Sequence, residues 1–258
     1  MIDTNTNKKP KILVVTPTYN SGKTIERCIK SVKQQTYKNV EQVIVDAKST
    51  DNTMHVVKKY GLAFISETDR GLFDGMCKGI SRFNGDIIHI LNSDDWYVSD
   101  EILEDVVNNM NSRNLELIHG RINLVNKAGN TIKTLGQDVN KKSLVKKMKV
   151  AHPSVFVRNY IYKKYGCYSE CFSIAADFEW LLRVWGCVSV GFIDKELVNM
   201  EDGGVSRQNI MQSCRESVCV SILHGLNPLQ AIGIYYHEIV KNHVINLIQK
   251  KKNKKGLV

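Results

Sequence analysis

Two adjacent carboxylates follow a short apolar run in the first half of the chain. The run, residues 86–91, is bounded by Gly85 and by polar residues, which predicts a short buried strand. Asp94 and Asp95 would then lie at the carboxyl end of that strand, where open α/β sheets bind ligands. Neighbouring carboxylates repel each other, and hard oxygen ligands on a short loop suit Mg²⁺ or Mn²⁺ carrying a diphosphate. The same pair could instead cap the following helix.

The first 110 residues alternate strand and helix patterns that would position such a pair. Apolar runs at 11–17, 40–46 and 62–66 predict further strands. The first predicted helix, 24–35, has apolar residues at i, i+3, i+4 and i+7, namely Ile25, Cys28, Ile29 and Val32. We expect Asp51 to cap a second helix that Gly61 ends, a third helix to pass through Met76 and Ile80, and Ser99 to cap a fourth reaching about Met110. Strands separated by helices predict a parallel sheet with right-handed crossovers.

The pattern changes after residue 115. Residues 116–124 and 131–135 flank a turn sequence and predict a hairpin. A basic helix (141–149), an extended segment (152–158), a helix (177–185) and a strand (188–193) are expected next. From residue 206 the chain reads as helices, one of them opened by Asn227-Pro228, and ends in a lysine-rich tail. The predicted fold class is therefore α/β with a helical, basic C-terminal extension.

Composition narrows the class of protein. The 258 residues are 43% hydrophobic and 24% charged, which is ordinary for a globular chain. No apolar run approaches the roughly 20 residues needed to span a bilayer, and residues 1–10 are polar and lack the apolar core of a signal peptide. We therefore expect a cytoplasmic protein. The seven cysteines form no Cys-x-x-Cys pair and several have apolar neighbours, which favours reduced core thiols.

The excess positive charge lies outside the first 110 residues. Of 36 Lys and Arg and 26 Asp and Glu, residues 10–110 contain 12 and 14, so the remainder contains 24 and 12. Residues 141–164 alone contain eight Lys and Arg and no acid, and residues 250–255 contain five Lys. This asymmetry indicates an anionic partner such as a membrane surface or a phosphorylated acceptor. The sequence contains no motif of aromatic and basic residues of the kind that binds nucleic acid, so a nucleic-acid partner is not favoured.

Two common phosphate-binding motifs are absent. Residues 21–24, Ser-Gly-Lys-Thr, look like the end of a P-loop, but that loop needs glycine where this chain has Pro17. Proline lacks the backbone N–H that such a cradle uses. The glycine-rich dinucleotide fingerprint is also missing after the first strand.

The motifs that are present resemble glycosyltransferase family 2. They are Val-Val-Thr-Pro-Thr-Tyr-Asn at 14–20, Val-Asp-Ala-Lys-Ser-Thr-Asp-Asn-Thr at 45–53, Asn-Ser-Asp-Asp at 92–95 and the segment 66–79. The last of these is similar to bacterial members that build surface polysaccharides such as O-antigen, capsule or exopolysaccharide. The resemblance covers roughly residues 10–205 and implies a GT-A fold, a Rossmann-like, mixed and mostly parallel sheet flanked by helices.

The resemblance also implies a division of the chain. Residues 1–9 would be a disordered N-terminus and 10–205 the catalytic domain. Within that domain, 10–110 would bind the nucleotide sugar and 111–205 the acceptor. Residues 206–258 would be the helical extension with its basic tail.

Roles for individual residues follow from the same resemblance. The nucleotide-sugar site would comprise Thr16, Pro17, Thr18, Tyr19, Asn20, Asp46, Lys48, Asp69, Arg70, Lys78, Asn92, Ser93 and Asp94. Asp51 is expected to cap a helix rather than bind a ligand. A surface ion pair between Asp69 and Arg70 is the alternative to a diphosphate contact. Ala47 and Lys48 depart mildly from the family sequence, which usually has glycine there.

The metal and the catalytic base have their own candidates. Asn92-Ser93-Asp94 occupies the place of the family's Asp-x-Asp motif, so Asp94, supported by Asp95, would bind Mn²⁺ or Mg²⁺, with one carboxylate fewer than usual. Asp177 aligns with the family's catalytic Asp, and Ala176 replaces the Glu that commonly precedes it; a helix cap is the alternative role. His152 and Arg207 are weaker candidates for contacts with acceptor or diphosphate.

The resulting expectation is an inverting glycosyltransferase. It would move a hexose or N-acetylhexosamine from a nucleotide sugar, with UDP the expected nucleotide, to a lipid-linked or oligosaccharide acceptor, such as a sugar on a polyprenyl diphosphate. The protein would lie at the inner face of the plasma membrane, and the sequence gives no oligomeric state. The alternative, suggested by Asn92 and Ala176, is a nucleotide-sugar-binding homologue with weak or lost catalysis. A nucleotidyltransferase would need a basic glycine-rich loop after the first strand, which is absent.

Overall fold

The computed structural model describes residues 9–203 and 209–240. Within this part of the chain, nine strands form one sheet in the order β3-β2-β1-β4-β8-β6-β9-β5, with β7 beside β6. The strands are β1 Ile12–Thr18, β2 Val40–Asp46, β3 Ala63–Ser66, β4 Ile87–Ile90, β5 Trp96–Tyr97, β6 Leu117–Val125, β7 Thr131–Leu135, β8 Phe156–Arg158 and β9 Val190–Glu201. The predicted mixed α/β fold is confirmed.

Helices flank this sheet. They are α1 Ile25–Lys33, α2 Thr53–Lys59, α3 Leu72–Arg82, α4 Ile102–Ser112, α5 Lys141–Leu144, α6 Asn159–Tyr165, α7 Ala176–Val184 and α8 Ile210–Leu223. A short 3₁₀ turn covers His152–Ser154, and residues 228–240 form a further helix.

Strand register brings the polar ends of the first three strands together. β1 pairs in parallel with β2 and β4, and β2 pairs in parallel with β3. The last paired residues are Thr18 with Asp46 and Asp46 with Ser66. These three side chains therefore lie in one row at the carboxyl edge of the sheet, as the sequence predicts for a ligand site.

The core explains why α1 and α3 lie where they do. The apolar stripe of α1 is buried, and Ile25, Cys28 and Ile29 are each 0% exposed, so the periodicity prediction is confirmed. On α3, a Cβ added at Gly79 would lie only 2.3 Å from Cγ1 of Val15. Glycine at this position lets α3 approach β1 closely, and α3 begins at the sheet edge that carries the candidate site.

The second half of the sheet differs from the expectation in several details. The predicted hairpin is confirmed, because β6 pairs antiparallel with β7. The strand predicted at 188–193 is longer, since β9 continues to Glu201 and pairs with β6 and β5. Pairing on both sides supplies its backbone hydrogen bonds, which a local pattern cannot reveal.

Three other local predictions were wrong. The basic segment 141–149 is helical only in α5, and the extended segment 152–158 begins with the 3₁₀ turn before β8. The N-cap residue of α4 is Glu101 rather than Ser99, and the buried Ser99 hydroxyl has no hydrogen-bond partner among the described residues.

The cysteine prediction was wrong in part. Cys77 of α3 and Cys167, just after α6, form a disulfide. Cys28 is buried and free as expected, and burial raises its pKa to about 12, so this thiol stays protonated near neutral pH. Cys219, predicted to be a core thiol from its apolar neighbours, is exposed.

The helices of the described part of the chain were compared with the length needed to span a membrane. Among residues 9–203 and 209–240, no helix combines the length and apolar character required to cross a bilayer. The predictions for residues 1–8, for Arg207 and for the basic tail from residue 241 lie outside the described residues.

Candidate active site

Asp46 sits in the middle of the row at the sheet edge. It is 1% exposed. Its carboxylate accepts a hydrogen bond from the Ser66 hydroxyl at 2.6 Å and from the Ser49 backbone N–H at 3.1 Å. These bonds fix the orientation of the carboxylate, whose two oxygens can each accept more than one hydrogen bond.

The segment after β1 is held against the β2–α2 loop. The Asn20 side chain accepts from the Thr50 N–H at 2.9 Å, and the Asn20 N–H donates to the Ser49 hydroxyl at 2.8 Å. Asn20 has φ 48°, a left-handed conformation that asparagine tolerates better than most residues. The neighbouring Tyr19 is 61% exposed, so its ring is open to a planar ligand.

Other predicted nucleotide residues in this region differ in access. Thr16 is fully buried and accepts a hydrogen bond from the Gln42 amide, so its hydroxyl supports the strand pair. Pro17 is paired with Val45 in the sheet. Lys48 is exposed at φ 60°. The N-cap residue of α2 is Asn52 rather than the predicted Asp51, although the Asp51 carboxylate does accept from the N–H of Thr53, the first helical residue.

The cations that were predicted near a diphosphate are ion-paired. Arg70 contacts Asp74 at 3.3 Å and Glu170 at 2.5 Å, rather than Asp69. Lys78 contacts Asp74 at 3.0 Å and Glu67 at 3.3 Å. A phosphate ligand would therefore have to exchange with these carboxylates. Arg70 is well exposed, which weakens its ion pairs, but its contact with Glu170 is bidentate, so this pair is the stronger one that a phosphate would have to replace.

Asp69 is held separately from these pairs. Its carboxylate accepts from the Gly71 N–H at 3.1 Å. The other oxygen lies beside Gly75, where an added Cβ would be 3.3 Å away. Asp69 therefore lies at the start of α3, close to the sheet edge.

The loop after β4 separates its two carboxylates. Asp95 is 1% exposed and accepts from the Asn92 amide at 3.0 Å. Burial, and then the neighbouring Asp94, raises the pKa of Asp95 well above its ordinary value. Asp94 is only partly buried; burial and the charge of Glu201 raise its pKa as well. Ser93 donates to the Ser21 hydroxyl at 2.8 Å. Asp94 is thus the carboxylate of this loop with access to solvent.

Asp177 lies in the first turn of α7, opposite a histidine and a tyrosine. Its carboxylate accepts from the Phe178 N–H at 2.8 Å. Burial raises the pKa of Asp177, and the nearby His152 acts in the opposite direction. Burial lowers the pKa of His152, whose Nε2 lies 2.9 Å from the Tyr168 hydroxyl. A carboxylate with a raised pKa beside a neutral histidine is suited to accept a proton.

Three contacts link this group to the sheet edge. His89 of β4 lies 2.9 Å from the carbonyl oxygen of Pro153, the residue after His152. The rings of Phe73 on α3 and Tyr168 lie 5.3 Å apart. The bond between Arg70 and Glu170 also ties α3 to the segment that leads into α7. The fold therefore joins the two halves of the candidate site.

Comparison with known proteins then identifies the family. Residues 13–171 match the family described as "Glycosyl transferase family 2", which is more than half of the chain. The chain belongs to glycosyltransferase family 2. A relative, "Glycosyltransferase GlyA" of Streptococcus pneumoniae, is 31% identical over 97 residues, covering 36% of this chain and 14% of GlyA. The matches to two further curated relatives cover 39% and 52% of their lengths.

Solved structures show the same fold for this family 2 chain. S. aureus TarS in complex with UDP-GlcNAc has a TM-score of 0.65 at 18% identity, over 89% of this chain and 71% of that chain. The mannosyltransferase PcManGT from Pyrobaculum calidifontis, in complex with GDP-Man and Mn²⁺, has a TM-score of 0.63 at 15% identity, over 90% and 70%. The predicted GT-A-type architecture is confirmed by this likeness.

One residue near the site of this family 2 protein was missed by sequence reasoning. Arg27 of α1 donates to the Asp94 carbonyl oxygen at 3.0 Å and to Glu201 at 2.7 Å, and its guanidinium lies 3.6 Å over the Trp96 ring. It fixes the loop after β4 against the end of β9. On the sequence Arg27 is one of several charges on the polar face of a helix, so no local signal distinguishes it.

The residues around Asp94 fit a divalent metal that is shared with a diphosphate. Among the described residues, no group of three or more His, Cys, Asp or Glu side chains could hold a metal by itself. However, one side-chain oxygen each of Asn92 and Asp95 is buried without a hydrogen-bond partner in the described chain, beside the carboxylate of Asp94. Mg²⁺ and Mn²⁺ accept one or two carboxylates when phosphate oxygens complete the coordination. Asp94 would supply the charge, and the Asn92 oxygen a neutral ligand.

Proposed function

We propose that this family 2 protein is an inverting glycosyltransferase that uses a nucleotide-activated hexose or N-acetylhexosamine. The match over residues 13–171 carries the proposal, because it spans the row of Thr18, Asp46 and Ser66 and the loop with Asp94. A uracil or ribose donor group would bind Asp46, and Tyr19 would stack on the base. UDP is favoured as the nucleotide, and the UDP-GlcNAc complex of TarS supports testing that donor first.

The transfer would be a single displacement. Asp177 takes the proton of the acceptor hydroxyl as that oxygen forms its bond to the anomeric carbon. On the opposite face the bond from the anomeric carbon to the phosphate oxygen breaks, and the electron pair leaves with the nucleoside diphosphate. The configuration inverts, and no covalent sugar–enzyme species forms. His152 and Tyr168 would orient Asp177 and the acceptor.

Asp94, with Asn92 and Asp95, would hold Mn²⁺ or Mg²⁺ against the donor diphosphate. When bound, the metal stabilises the negative charge of the departing nucleoside diphosphate. Arg70 and Lys78 would contact the same phosphates after leaving their present carboxylate partners. The Mn²⁺ complex of PcManGT supports this assignment.

A screen of nucleotide sugars by thermal shift tests the proposal. UDP-GlcNAc, other UDP-sugars, GDP-mannose and dTDP-glucose would each be added with and without Mn²⁺. At a hundred times Kd, a ligand adds about 2.7 kcal/mol of stability. For a chain of this size that corresponds to roughly 5–10 °C in Tm. A UDP-sugar with Mn²⁺ is expected to give the largest shift, and the absence of a shift with every donor would contradict a nucleotide-sugar site.

The alternative, a binding protein without catalysis, rests on Asn92 and Ala176. Slow hydrolysis of the best-binding donor without an acceptor would separate the two proposals, because only a catalyst releases nucleoside diphosphate. Binding without hydrolysis or transfer, with a panel of polyprenyl-diphosphate sugars and oligosaccharides as acceptors, would favour the alternative.

A membrane-facing surface supports a lipid-linked acceptor of the surface-polysaccharide type. On the helix at 228–240, three residues on one stripe are strongly exposed: Leu229 at 80%, Tyr236 at 63% and Val240 at 60%. The sequence from 241 to 258 that follows contains six Lys and no acid. An apolar stripe next to a basic segment suits the surface of an anionic bilayer. We place the protein at the cytoplasmic face of the plasma membrane.

Liposome flotation tests this surface. The double substitution Leu229→Glu with Tyr236→Glu is expected to lower recovery with phosphatidylserine vesicles at least about 10-fold, because each buried apolar side chain contributes ~1.5–3 kcal/mol. Gln230→Glu with His237→Glu, at two exposed positions of the same helix, is the control for two added charges. Equal recovery of both variants would exclude the stripe as a membrane surface. A change from dimer to monomer in the double variant without a change in flotation would assign the stripe to a contact between copies.

A further inference from the structure

A carboxylate from the C-terminal helices holds the segment that leads into α7. Glu216 of α8 accepts hydrogen bonds from the backbone N–H of Ile174 at 2.8 Å and of Ala175 at 2.9 Å. Its other oxygen accepts from the Ser173 hydroxyl at 3.0 Å and from the Gln212 amide at 2.9 Å. Four donors thus converge on a single carboxylate, which lies 41 residues beyond Ala175 in the chain.

The start of α7 lacks a cap of its own. Its N-cap residue is Ala175, which has no side-chain acceptor, and the first helical residue is Ala176. Ile174 and Ala175 are only 9% and 4% exposed, so solvent has little access to these two residues. An unpaired buried N–H costs about 1–3 kcal/mol. Glu216 therefore supplies from another helix the acceptor that this segment does not contain.

Asp177 lies two residues after these anchored amides. The groups that face it are the Phe178 N–H of its own helix, His152 of the 3₁₀ turn and Tyr168 from the segment before α7. Its setting depends on the first turn of α7 staying folded against these groups. Glu216 acts on Asp177 through the backbone, because no direct contact between the two carboxylates is present among the described hydrogen bonds.

The geometry points to Glu216 as a positioning residue for Asp177. By fixing the backbone at 174–175, it keeps the carboxylate of Asp177 partly buried and close to His152. This inference rests on the proposed role of Asp177 as the base. It makes the C-terminal helices part of the active site's framework, so that the extension serves catalysis as well as any membrane contact.

Two measurements without substrate test the inference. The first is amide hydrogen exchange of Ile174 and Ala175 in Glu216→Ala, in Glu216→Gln and in the neighbouring control Arg215→Ala. Arg215 lies on the same helix and is exposed, and its side chain forms no hydrogen bond or ion pair with a described residue. The second is a titration of aspartate carboxyl carbons by ¹³C NMR, in which the Asp177 signal is assigned by its loss in Asp177→Asn.

In Glu216→Ala, the amide hydrogens of Ile174 and Ala175 are expected to exchange at least about 10-fold faster than in the wild type. The reason is that a charged hydrogen bond contributes ~1.5–3 kcal/mol. Asp177 is expected to titrate at a lower pH than in the wild type, because fraying of α7 would return it to water. Glu216→Gln should give intermediate values, since its amide oxygen can replace the oxygen that accepts both bonds but carries no negative charge. Arg215→Ala should match the wild type in both measurements.

A third measurement, steady-state kinetics, tests whether Glu216 affects turnover. With UDP-GlcNAc, or the donor that the screen favours, kcat should fall in Glu216→Ala while KM for the donor stays unchanged, with partial recovery in Glu216→Gln. Unchanged exchange and an unchanged Asp177 titration in a folded Glu216→Ala protein would overturn the inference. If Glu216→Ala does not fold, the amide exchange and the Asp177 titration of Glu216→Gln decide instead, and wild-type values in both would overturn the inference. If the wild type is inactive while both structural shifts occur, the proposed function fails and the positioning stands.

Discussion

Asp177→Asn is expected to lower kcat by about 10²- to 10⁴-fold, the usual contribution of a general base, while the affinity for the nucleotide sugar stays the same. The amide cannot take the acceptor proton. Asp177 lies in the α7 segment, apart from the row formed by Thr18, Asp46 and Ser66, so donor binding should not depend on it.

Stability should move in the opposite direction from activity. Burial raises the pKa of Asp177 above its ordinary value of 3.8. A carboxyl whose pKa is raised on folding gives its full stabilisation below its unfolded pKa, and this contribution is lost as the pH rises through the folded pKa. At neutral pH the ionised carboxylate is therefore unfavourable, and the asparagine variant should unfold at an equal or higher temperature. Loss of activity together with an equal or higher unfolding temperature would show that the variant is inactive for a reason other than unfolding.

The pH profile gives a second check on the base. Because the base must be ionised, wild-type kcat should fall as the pH decreases through a pKa above 3.8. The control is Asp138→Asn, the same chemical change at an exposed aspartate. It should retain wild-type kcat and pH profile. Retention of more than about a tenth of wild-type kcat by Asp177→Asn would remove the base role, because even a weak general base contributes 10²-fold.

Asp94→Asn is expected to abolish the gain in UDP affinity that Mn²⁺ provides, while Asp95→Asn keeps it. Asp94 is the partly exposed carboxylate of the loop, whereas Asp95 is buried and bonded to Asn92. Burial, and then the neighbouring Asp94, raises the pKa of Asp95 well above its ordinary value, which favours the uncharged form that an amide resembles. Loss of an ionised ligand should weaken metal-dependent binding at least about 10-fold, or 1.4 kcal/mol.

Isothermal titration of UDP with and without Mn²⁺ would measure this difference. A ligand must be deprotonated to bind a metal, and the pKa of Asp94 is raised by burial and by Glu201. The Mn²⁺ effect in the wild type should therefore weaken as the pH falls through that pKa. If Asp95→Asn removes the Mn²⁺ effect and Asp94→Asn does not, the ligand assignments are reversed. A wild type without any Mn²⁺ effect would exclude the metal site.

Much of the fold of the first 110 residues was predictable from local patterns. The second strand begins and ends where the apolar run predicts, at Val40–Asp46, and the stripe on α1 is buried as its spacing requires. Such patterns report which face of each element leaves water, so they give the order of elements. Because parallel strands share an edge, they also predict that Asp46 and the Asn92–Asp95 loop occupy the same side of the sheet.

The pairings within the candidate site could not be predicted in this way. The family resemblance favours Asp94 over Asp95 as the ligand, but the different burial of the two carboxylates is visible only in the packed structure. Arg70 is paired with Glu170, 100 residues away, rather than with its neighbour Asp69. A local pattern contains no information about which distant side chain will face a given residue.

The sequence by itself thus determined the family, the α/β architecture and the identity of the candidate carboxylates, because these depend on residue type and on short spacings. The tertiary structure decided which groups hold those carboxylates. Arg27 reaches Glu201 across 174 residues, Glu216 anchors the turn before Asp177, and Cys77 meets Cys167 across 90 residues. The physical reason is that hydrogen bonds and ion pairs form between groups within about 3–4 Å of each other, and only the packed sheet and helices bring distant parts of the chain so close.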